Sequence, residues 1–155
     1  MRKARLPELG ENHRRGVSTT LTYLDERLCE VEQWARGRQV RSALYQERNG
    51  LTREQRSALQ ARVAATRQLL SELRDTLGLE GRLQTGPLAI WGGCSEVREH
   101  LVELGSKHLK RYGKLDAEVG DYMDEAVPQL LECVEEIAAI VVGQIPPPKP
   151  AAGSG

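Results

Sequence analysis

The chain has 155 residues, the size of one ordinary domain, and its 22 Lys and Arg balance its 22 Asp and Glu. Hydrophobic residues make up 39% of the sequence and charged residues 28%. These values argue against a fibrous repeat, a disulfide scaffold and a multidomain enzyme, and favour a folded soluble chain over a disordered one.

Charge is unevenly distributed along the chain. Residues 1–85 carry 16 Lys and Arg against 11 Asp and Glu, a net charge of +5, whereas residues 86–155 carry 6 and 11, a net charge of −5. Two halves of opposite charge either pack on each other and partly neutralise or form separate binding faces, and the first arrangement is the more common. The neutral total provides no overall field that would steer the chain onto nucleic acid or an anionic membrane.

The three cysteines, Cys29, Cys94 and Cys133, are an odd number without CxxC spacing. This pattern argues against a disulfide framework and a zinc ribbon, and predicts buried free thiols in a reducing compartment. No stretch reaches the roughly 18–20 apolar residues of a membrane span. The basic N-terminus lacks the apolar core of a secretory signal, so we expect a cytoplasmic protein.

The first helix is predicted from about Glu11 to about Arg38. Its apolar residues recur at alternating spacings of four and three, which places them on one face of a helix with charged residues between them. These residues are Val17, Leu21, Leu24, Leu28, Val31 and Ala35. Gly37 is expected to end or bend the helix. Residues 38–48 could continue it or form a short separate helix, and the phase of Val40 favours a break.

The second helix is predicted from about Arg53 to Leu77. Thr52 before it is a candidate N-cap, and Gln55 can complete a capping box with it. The apolar stripe again has spacings of four and three, in Leu59, Val63, Thr66, Leu70, Leu73 and Leu77. Gly78 can adopt the left-handed conformation that closes a helix.

The third helix is predicted to begin near Pro87, which suits a first helical turn. Its stripe comprises Ile90, Cys94, Val97, Leu101, Leu104 and His108, and Gly113 is expected to end it. The pair Gly92-Gly93 costs about 1 kcal/mol per glycine relative to Ala inside a helix. Either the helix begins later, near Ser95, or a neighbouring backbone packs closely against the glycines.

The fourth segment begins with the acidic stretch Asp116 to Glu125, whose carboxylates are expected to cap helix starts. Pro128 is expected to break a helix that would run through it, or to begin a new one. The apolar residues that follow have helical spacing and the highest density in the chain: Val127, Leu130, Val134, Ile137 and Val141. We therefore expect the most buried helix here.

These elements predict an all-α fold, an antiparallel bundle of four helices with the fourth shorter or kinked. We expect a flexible N-terminus at residues 1–10, the bundle at 11–143 and a Pro/Gly-rich disordered tail at 144–155. The terminal Gly-Ser-Gly resembles a linker. Pro147 and Pro150 form a PxxP, for which a passive spacer is favoured over a ligand of an aromatic groove.

Candidate chemical sites are weak. Glu96, Glu99, His100 and Glu103 share a face of the third helix, but no Glu stands three residues before a His, as di-iron bundles require, so a solvated face is favoured over a metal site. His108 lies on the apolar stripe without a catalytic partner nearby in sequence. The acidic fourth segment lacks the spacing of a calcium loop. We therefore expect no catalytic residue, no metal and no cofactor.

Arginine is concentrated in residues 36–67, where eight Arg stand against two Glu. Solubility and pairing with the acidic fourth segment are the favoured explanation. Phosphate contacts by a nucleic-acid-associated accessory protein are the alternative. The residues that would make these contacts are Arg38, Arg41, Arg53 and Arg56.

Four amphipathic segments without a chemical constellation predict a non-enzymatic protein that acts by protein–protein interaction or self-association, as an adaptor, scaffold or regulatory subunit. A small chain buries only about two-thirds of its unfolded surface, so a partner could share its wide apolar stripes. Aromatic residues are enriched at interfaces. The candidate contacts are Trp34, Tyr45, Trp91, Tyr112 and Tyr122, although Trp34 and Trp91 could instead close the ends of the bundle.

Overall fold

A computed structural model describes residue 6 and residues 8–147, and its fold is all-α. The helices are α1 (Glu11–Ala35), α2 (Arg53–Leu77), α3 (Gly86–Val102), α4 (Ser106–Leu109) and α5 (Ala117–Val141), with 3-10 turns at Lys110–Tyr112 and Val142–Gln144. Within this range the β-structure consists of one isolated antiparallel bridge, Arg41 with Gln46. The predicted fold class is confirmed. Most of the predicted flexible N-terminus and Pro-rich tail, including Pro150, lies outside the described residues.

The chain divides into two compact units, Met1–Arg82 and Leu83–Gly155. The first unit pairs α1 with α2, and the second pairs α3 with α5. The boundary coincides with the change in charge, because the first unit contains 16 basic and 11 acidic residues and the second contains 6 and 11. A single bundle over residues 11–143 stays a prediction.

The first unit is an antiparallel helical hairpin. At one end of it, the Arg14 guanidinium donates to the carbonyl of Gly78 over 3.0 Å. Near the other end, Arg67 of α2 forms an ion pair with Glu32 of α1, with a distance of 2.7 Å between Nη1 and Oε2. Ala35 is buried near the loop end of α1, and Val63 is the buried residue of α2.

Helix α2 begins and ends as predicted because its signals are local. The Thr52 hydroxyl accepts from the Gln55 backbone N–H over 3.1 Å, and the Gln55 side chain accepts from the Thr52 N–H over 3.0 Å. This arrangement is the predicted capping box. Gly78 has a φ of 62°, and the Leu79 N–H reaches back to the Arg74 carbonyl, so Gly78 closes the helix.

Helix α1 ends at Ala35, three residues before its predicted end. Gly37 has a φ of 100°, in the left-handed region that favours glycine, and the Arg38 N–H donates to the carbonyl of Gln33. Residues 38–48 are not helical, so both helical alternatives for them are wrong. They fold back on themselves, with the Glu47 N–H donating to the Val40 carbonyl over 2.7 Å.

Helix α3 begins at Gly86, and Pro87 lies in its first turn as predicted. Thr85 is its N-cap. It includes Gly92 and Gly93, so a later start is wrong. A Cβ atom on either of these glycines would meet nothing within 4 Å. The close backbone contact considered from the sequence is therefore absent from the described part of the chain.

Helix α3 ends at Val102 and does not continue to Gly113 as predicted. Asp124 of α5 supplies the reason, because its carboxylate accepts from the Ser106 backbone N–H over 2.8 Å and from the Ser106 hydroxyl over 2.5 Å. These two bonds cap the separate short helix α4 and lower the pKa of Asp124. Gly113, with a φ of 135°, closes the 3-10 turn after α4.

Helix α5 runs for 25 residues and contains Pro128 in its interior, so the predicted break and the predicted shorter helix are both wrong. Its start is capped by Asp116, which accepts from the Glu118 N–H over 2.9 Å, as expected of the acidic stretch. Among the described helices α5 has the most buried residues, which confirms that prediction. They are Gly120, Val127 and Val141.

The predicted burial of the cysteines is wrong for two of the three. All three thiols are free, Cys29 and Cys133 are exposed, and Cys94 is half-buried. Cys29 lies one position from the apolar stripe of α1, and Cys133 lies on a part of α5 that α3 does not cover. Position relative to the neighbouring helix therefore decides their exposure.

Candidate functional site

The loop of residues 36–52 gathers most of the side chains that the sequence singled out. Six of the nine predicted contact residues lie in it or beside it: Trp34, Arg38, Arg41, Tyr45, Arg53 and Arg56. A connection of this length without regular structure is unusual in a compact unit and is often functional. What holds the loop in place decides which of the six side chains remain available to a ligand.

Glu47 is the centre of the loop, and its side chain is only 2% exposed. Its carboxylate accepts from Arg38 through Nε at 2.8 and 2.9 Å and through Nη2 at 2.6 Å, and from the Tyr45 hydroxyl at 2.7 Å. The bonds from Arg38 lower the pKa of Glu47, and the bond to Glu47 raises the pKa of Tyr45. A buried carboxylate is stable here because each oxygen is paired with a donor.

Arg38 is fully engaged within the first unit. Besides its bonds to Glu47, its Nη1 donates to Gln33 over 2.8 Å, and its guanidinium lies 5.5 Å from the centre of the Trp34 ring. Trp34 and Arg38 thus stack on each other. The structure gives Arg38 a role in holding the loop, and the alternative role in phosphate contact stays a prediction.

Asn49 ties the loop to both helices. Its side-chain amide donates to the carbonyls of Trp34 and Arg38 over 2.8 and 2.9 Å. Its oxygen accepts from the Leu51 N–H and from Arg56 Nη2, each over 3.2 Å. Arg56 therefore also points into the loop, where the absence of a side chain on Gly37 leaves it room.

Arg41, Arg48 and Arg53 remain exposed, and none has an ion-pair partner within residues 8–147. Leu44 is fully exposed at the tip of the loop, where the Ser42 N–H donates to the Tyr45 carbonyl over 2.9 Å. The loop is thus a fixed platform that presents arginines and one leucine. Sequence reasoning missed Glu47, although its position as one of two acids among eight arginines was a signal.

The second candidate surface is an exposed apolar stripe on α5, called here the α5 stripe. It lies about 100° around the helix from the residues that face α3, because each member precedes a buried or half-buried position by one residue. Its members are Val119, Tyr122, Ala126, Leu130, Cys133, Ile137 and Ile140. Leu130 and Ile137 are about half exposed, and Ile140 is 79% exposed.

One edge of α3 extends this surface. Helices α3 and α5 are antiparallel. Ile90 and Val97 lie on the edge of α3 that adjoins the α5 stripe, and each is nearly half exposed. The opposite edge is marked by the ion pair of Arg98 with Glu135, with a distance of 3.3 Å. Trp91 lies seven residues before Arg98 and so belongs to that opposite edge. The α5 stripe together with Ile90 and Val97 is called here the apolar face.

The border of the apolar face is acidic. Helix α5 contains seven Asp and Glu and no Lys or Arg. Four exposed glutamates follow the α5 stripe along its outer side, and the described residues offer none of them an ion-pair partner: Glu118, Glu125, Glu132 and Glu136. Of the predicted aromatic contacts, Tyr122 lies on the face, and Tyr112 lies exposed in the turn after α4.

No set of three or more His, Cys, Asp or Glu side chains that could hold a metal occurs in the part of the chain that the structure describes. His108 lies with Nδ1 3.3 Å from a carboxylate oxygen of Glu103, which is also 3.9 Å from Arg111. Glu103 thus faces both His108 and Arg111. A groove of about 490 Å³ beside α1 is lined by hydroxyls, Tyr23 and the segment 80–82, without His or Cys.

None of the helices between residues 8 and 147 combines the length and the apolar character needed to cross a bilayer. Comparison of the chain with protein-family models, with curated proteins and with solved structures finds no match. The loop of residues 36–52 and the apolar face are therefore the two features that bear on function.

Proposed function

We propose that the chain is a non-enzymatic helical protein that acts by binding another protein or a second copy of itself through the apolar face of the second unit. It would serve as an adaptor, scaffold or regulatory subunit. The observation that carries the proposal is the α5 stripe, a row of apolar side chains that runs the length of a 25-residue helix and is exposed at every member except the half-buried Ala126. Contiguous apolar surface of this kind marks interaction sites.

The two units differ in how much apolar surface they expose. Fourteen large hydrophobic side chains are exposed in residues 83–147, against seven in the described residues of the first unit. Only Val127 and Val141 are buried apolar residues of the second unit within its described part. Covering five half-exposed side chains would contribute roughly 5 kcal/mol, at about 1 kcal/mol each, which is comparable with the whole stability of a small domain.

The test compares three versions of the full chain: the wild type, the double variant Leu130→Asn/Ile137→Asn, and the control Ala139→Asn on the outer side of α5. Sedimentation velocity measures self-association. Affinity capture from lysate, with and without nuclease, measures partners. The proposal expects an association that survives nuclease, that is lost in the double variant and that persists in Ala139→Asn. Equal behaviour of all three proteins would contradict it.

A second candidate function is contact with nucleic acid through the loop of the first unit. It is supported by Arg41, Arg48 and Arg53, which are exposed around an ordered loop without ion-pair partners in the described range. Retention on DNA or RNA should weaken steeply with salt and fall in the variant Arg41→Ala/Arg53→Ala. Retention that is unchanged between low and moderate salt would exclude it.

A further inference from the structure

We infer that the occupant of the apolar face is a basic amphipathic helix of a partner protein, one with apolar residues at helical spacing flanked by Lys or Arg. The inference rests on the proposed function and adds the chemistry of the partner. It is carried by the combination of an uncharged apolar centre with an acidic border.

The charge on the two helices is strongly one-sided. Helices α3 and α5 together hold nine Asp and Glu and, apart from His100, a single basic residue, Arg98, which already pairs with Glu135. Asp124 is used to cap α4. The glutamates beside the α5 stripe have no such partner in the described chain and lie where the flanking side chains of a docked helix would be. Opposite charge there raises the association rate and selects the partner.

The same border argues against a second copy as the occupant. Two copies docked by the same face bring acidic helices together, and like charges across an interface are unfavourable. The border also argues against an anionic membrane or a nucleic acid on this face, since both carry negative charge. A basic amphipathic partner fits both features, because its apolar side chains can pack on the apolar centre while its Lys or Arg side chains pair with the glutamates at the border.

The shape of the face fits a helix. The face lies between the edges of two antiparallel helices, which is the groove into which an amphipathic helix docks. Helix α5 provides about 38 Å of length at 1.5 Å per residue. The small side chains of Ala126 and Cys133 lie on either side of Leu130 along the α5 stripe, so a docked helix can approach the backbone there.

The test uses the full chain and three synthetic peptides of about 20 residues, long enough to span the face as a helix. The first peptide has Leu at helical spacing flanked by Lys, the second has the same Leu flanked by Glu, and the third is a scramble of the first without a stripe. Fluorescence anisotropy of the labelled peptides measures binding. The inference expects the Lys peptide to bind at least about tenfold more tightly than either of the other two, with a preference that weakens as salt rises.

Matched variants separate the contribution of the apolar side chains to peptide binding from the contribution of the acidic border. Leu130→Asn/Ile137→Asn should weaken binding of the Lys peptide at least about tenfold, and Ala139→Asn should not. Glu132→Gln/Glu136→Gln should reduce the preference for Lys over Glu. Removing two carboxylates from the outer face of α3, in Glu96→Gln/Glu99→Gln, should leave the preference nearly unchanged.

Any other outcome overturns the inference, and the outcomes show whether the proposed function fails with it. Equal binding of the Lys and Glu peptides, weakened by Leu130→Asn/Ile137→Asn, would leave the proposed function standing and refute the basic partner. Equal binding of the Lys peptide and its scramble would indicate charge attraction alone. Self-association through the face that the Lys peptide does not displace would make a second copy the occupant. Binding of no peptide, with no association of any kind, would contradict the proposed function as well.

Discussion

Substitution of the glycine pair in α3 by alanine measures directly whether anything covers that helix. Gly92 and Gly93 lie inside α3, both are exposed, and a Cβ on either would meet nothing within 4 Å. Glycine inside a helix costs about 0.8–1.0 kcal/mol relative to alanine. We therefore expect Gly92→Ala and Gly93→Ala each to raise the free energy of unfolding by about 1 kcal/mol. The double variant should gain about 2 kcal/mol.

Urea unfolding followed by the fluorescence of Trp91, in a Trp34→Phe background, would report on the second unit. With a urea dependence of about 1–3 kcal/mol per molar, the double variant should shift the midpoint upward by roughly 1 M. Gly16→Ala, followed by the fluorescence of Trp34 in a Trp91→Phe background, is the matched control in the first unit, because Gly16 is an exposed glycine inside α1 whose Cβ would also meet nothing within 4 Å. If Gly16→Ala stabilises the chain and Gly93→Ala destabilises it, a neighbouring backbone covers α3, and the reasoning is refuted.

Three further substitutions test local features of the first unit. Thr52→Ala removes the oxygen that caps α2, and should lower the free energy of unfolding in urea by about 1 kcal/mol, whereas Thr52→Ser should preserve it. Gly78→Ala should lower it by about 1 kcal/mol, opposite in sign to Gly16→Ala, because φ is 62° at this residue; a gain in stability would contradict the left-handed cap. Glu47 has a lowered pKa, so the stability it contributes is present above its ordinary value of 4.5 and is lost as the pH falls below that value. Tyr45 has a raised pKa, so its contribution is present below 10.0 and is lost as the pH rises beyond it. Near-ultraviolet circular dichroism measured against pH should show both losses of structure in the wild type. Glu47→Gln should remove the loss at acid pH and return the pKa of Tyr45 towards 10.0. An unchanged titration of Tyr45 in this variant would exclude the bond to Glu47.

Elements fixed by neighbouring residues could be predicted from the sequence. Thr52, Gln55 and Gly78 are the start and stop signals of α2, and all three act within one helical turn of its ends. Gly37 likewise ends α1 through a local backbone motif. Pattern reasoning succeeded here because the physical cause lies in the same stretch of sequence as its effect.

Elements fixed from a distance could not be predicted. The apolar stripe of the third segment continues to His108, yet α3 ends at Val102 because Asp124, 18 residues beyond Ser106, caps a new helix. At Pro128 the opposite happens, because a helix continues where the local sequence predicts that it ends. Proline costs about 3 kcal/mol in a helix interior, yet α5 continues on both sides of it through residues that are buried, Val127 and Val141. Packing against α3 outweighs the local penalty.

The loop of the first unit was missed for a similar reason. Residues 38–48 contain good helix formers, and their charges are nearly all of one sign. The carboxylate of Glu47 nevertheless draws Arg38 and Tyr45 around itself, and it does so across nine residues in the case of Arg38. A buried charge that is fully paired can specify one arrangement of a loop that propensity alone leaves open.

The width of the apolar surface on α5 is the argument that links the fold to the proposed function. A helix that packs on one neighbour needs an apolar arc of about 100°. On α5 the residues that face α3 and the α5 stripe lie side by side, so the apolar arc spans about 180° at 100° per residue. Contact with α3 accounts for the first half of that arc, which contains Val127 and Val141. The second half, from Val119 to Ile140, is the surface that the proposed partner would cover, and the glutamates along its outer side would restrict which partners can approach.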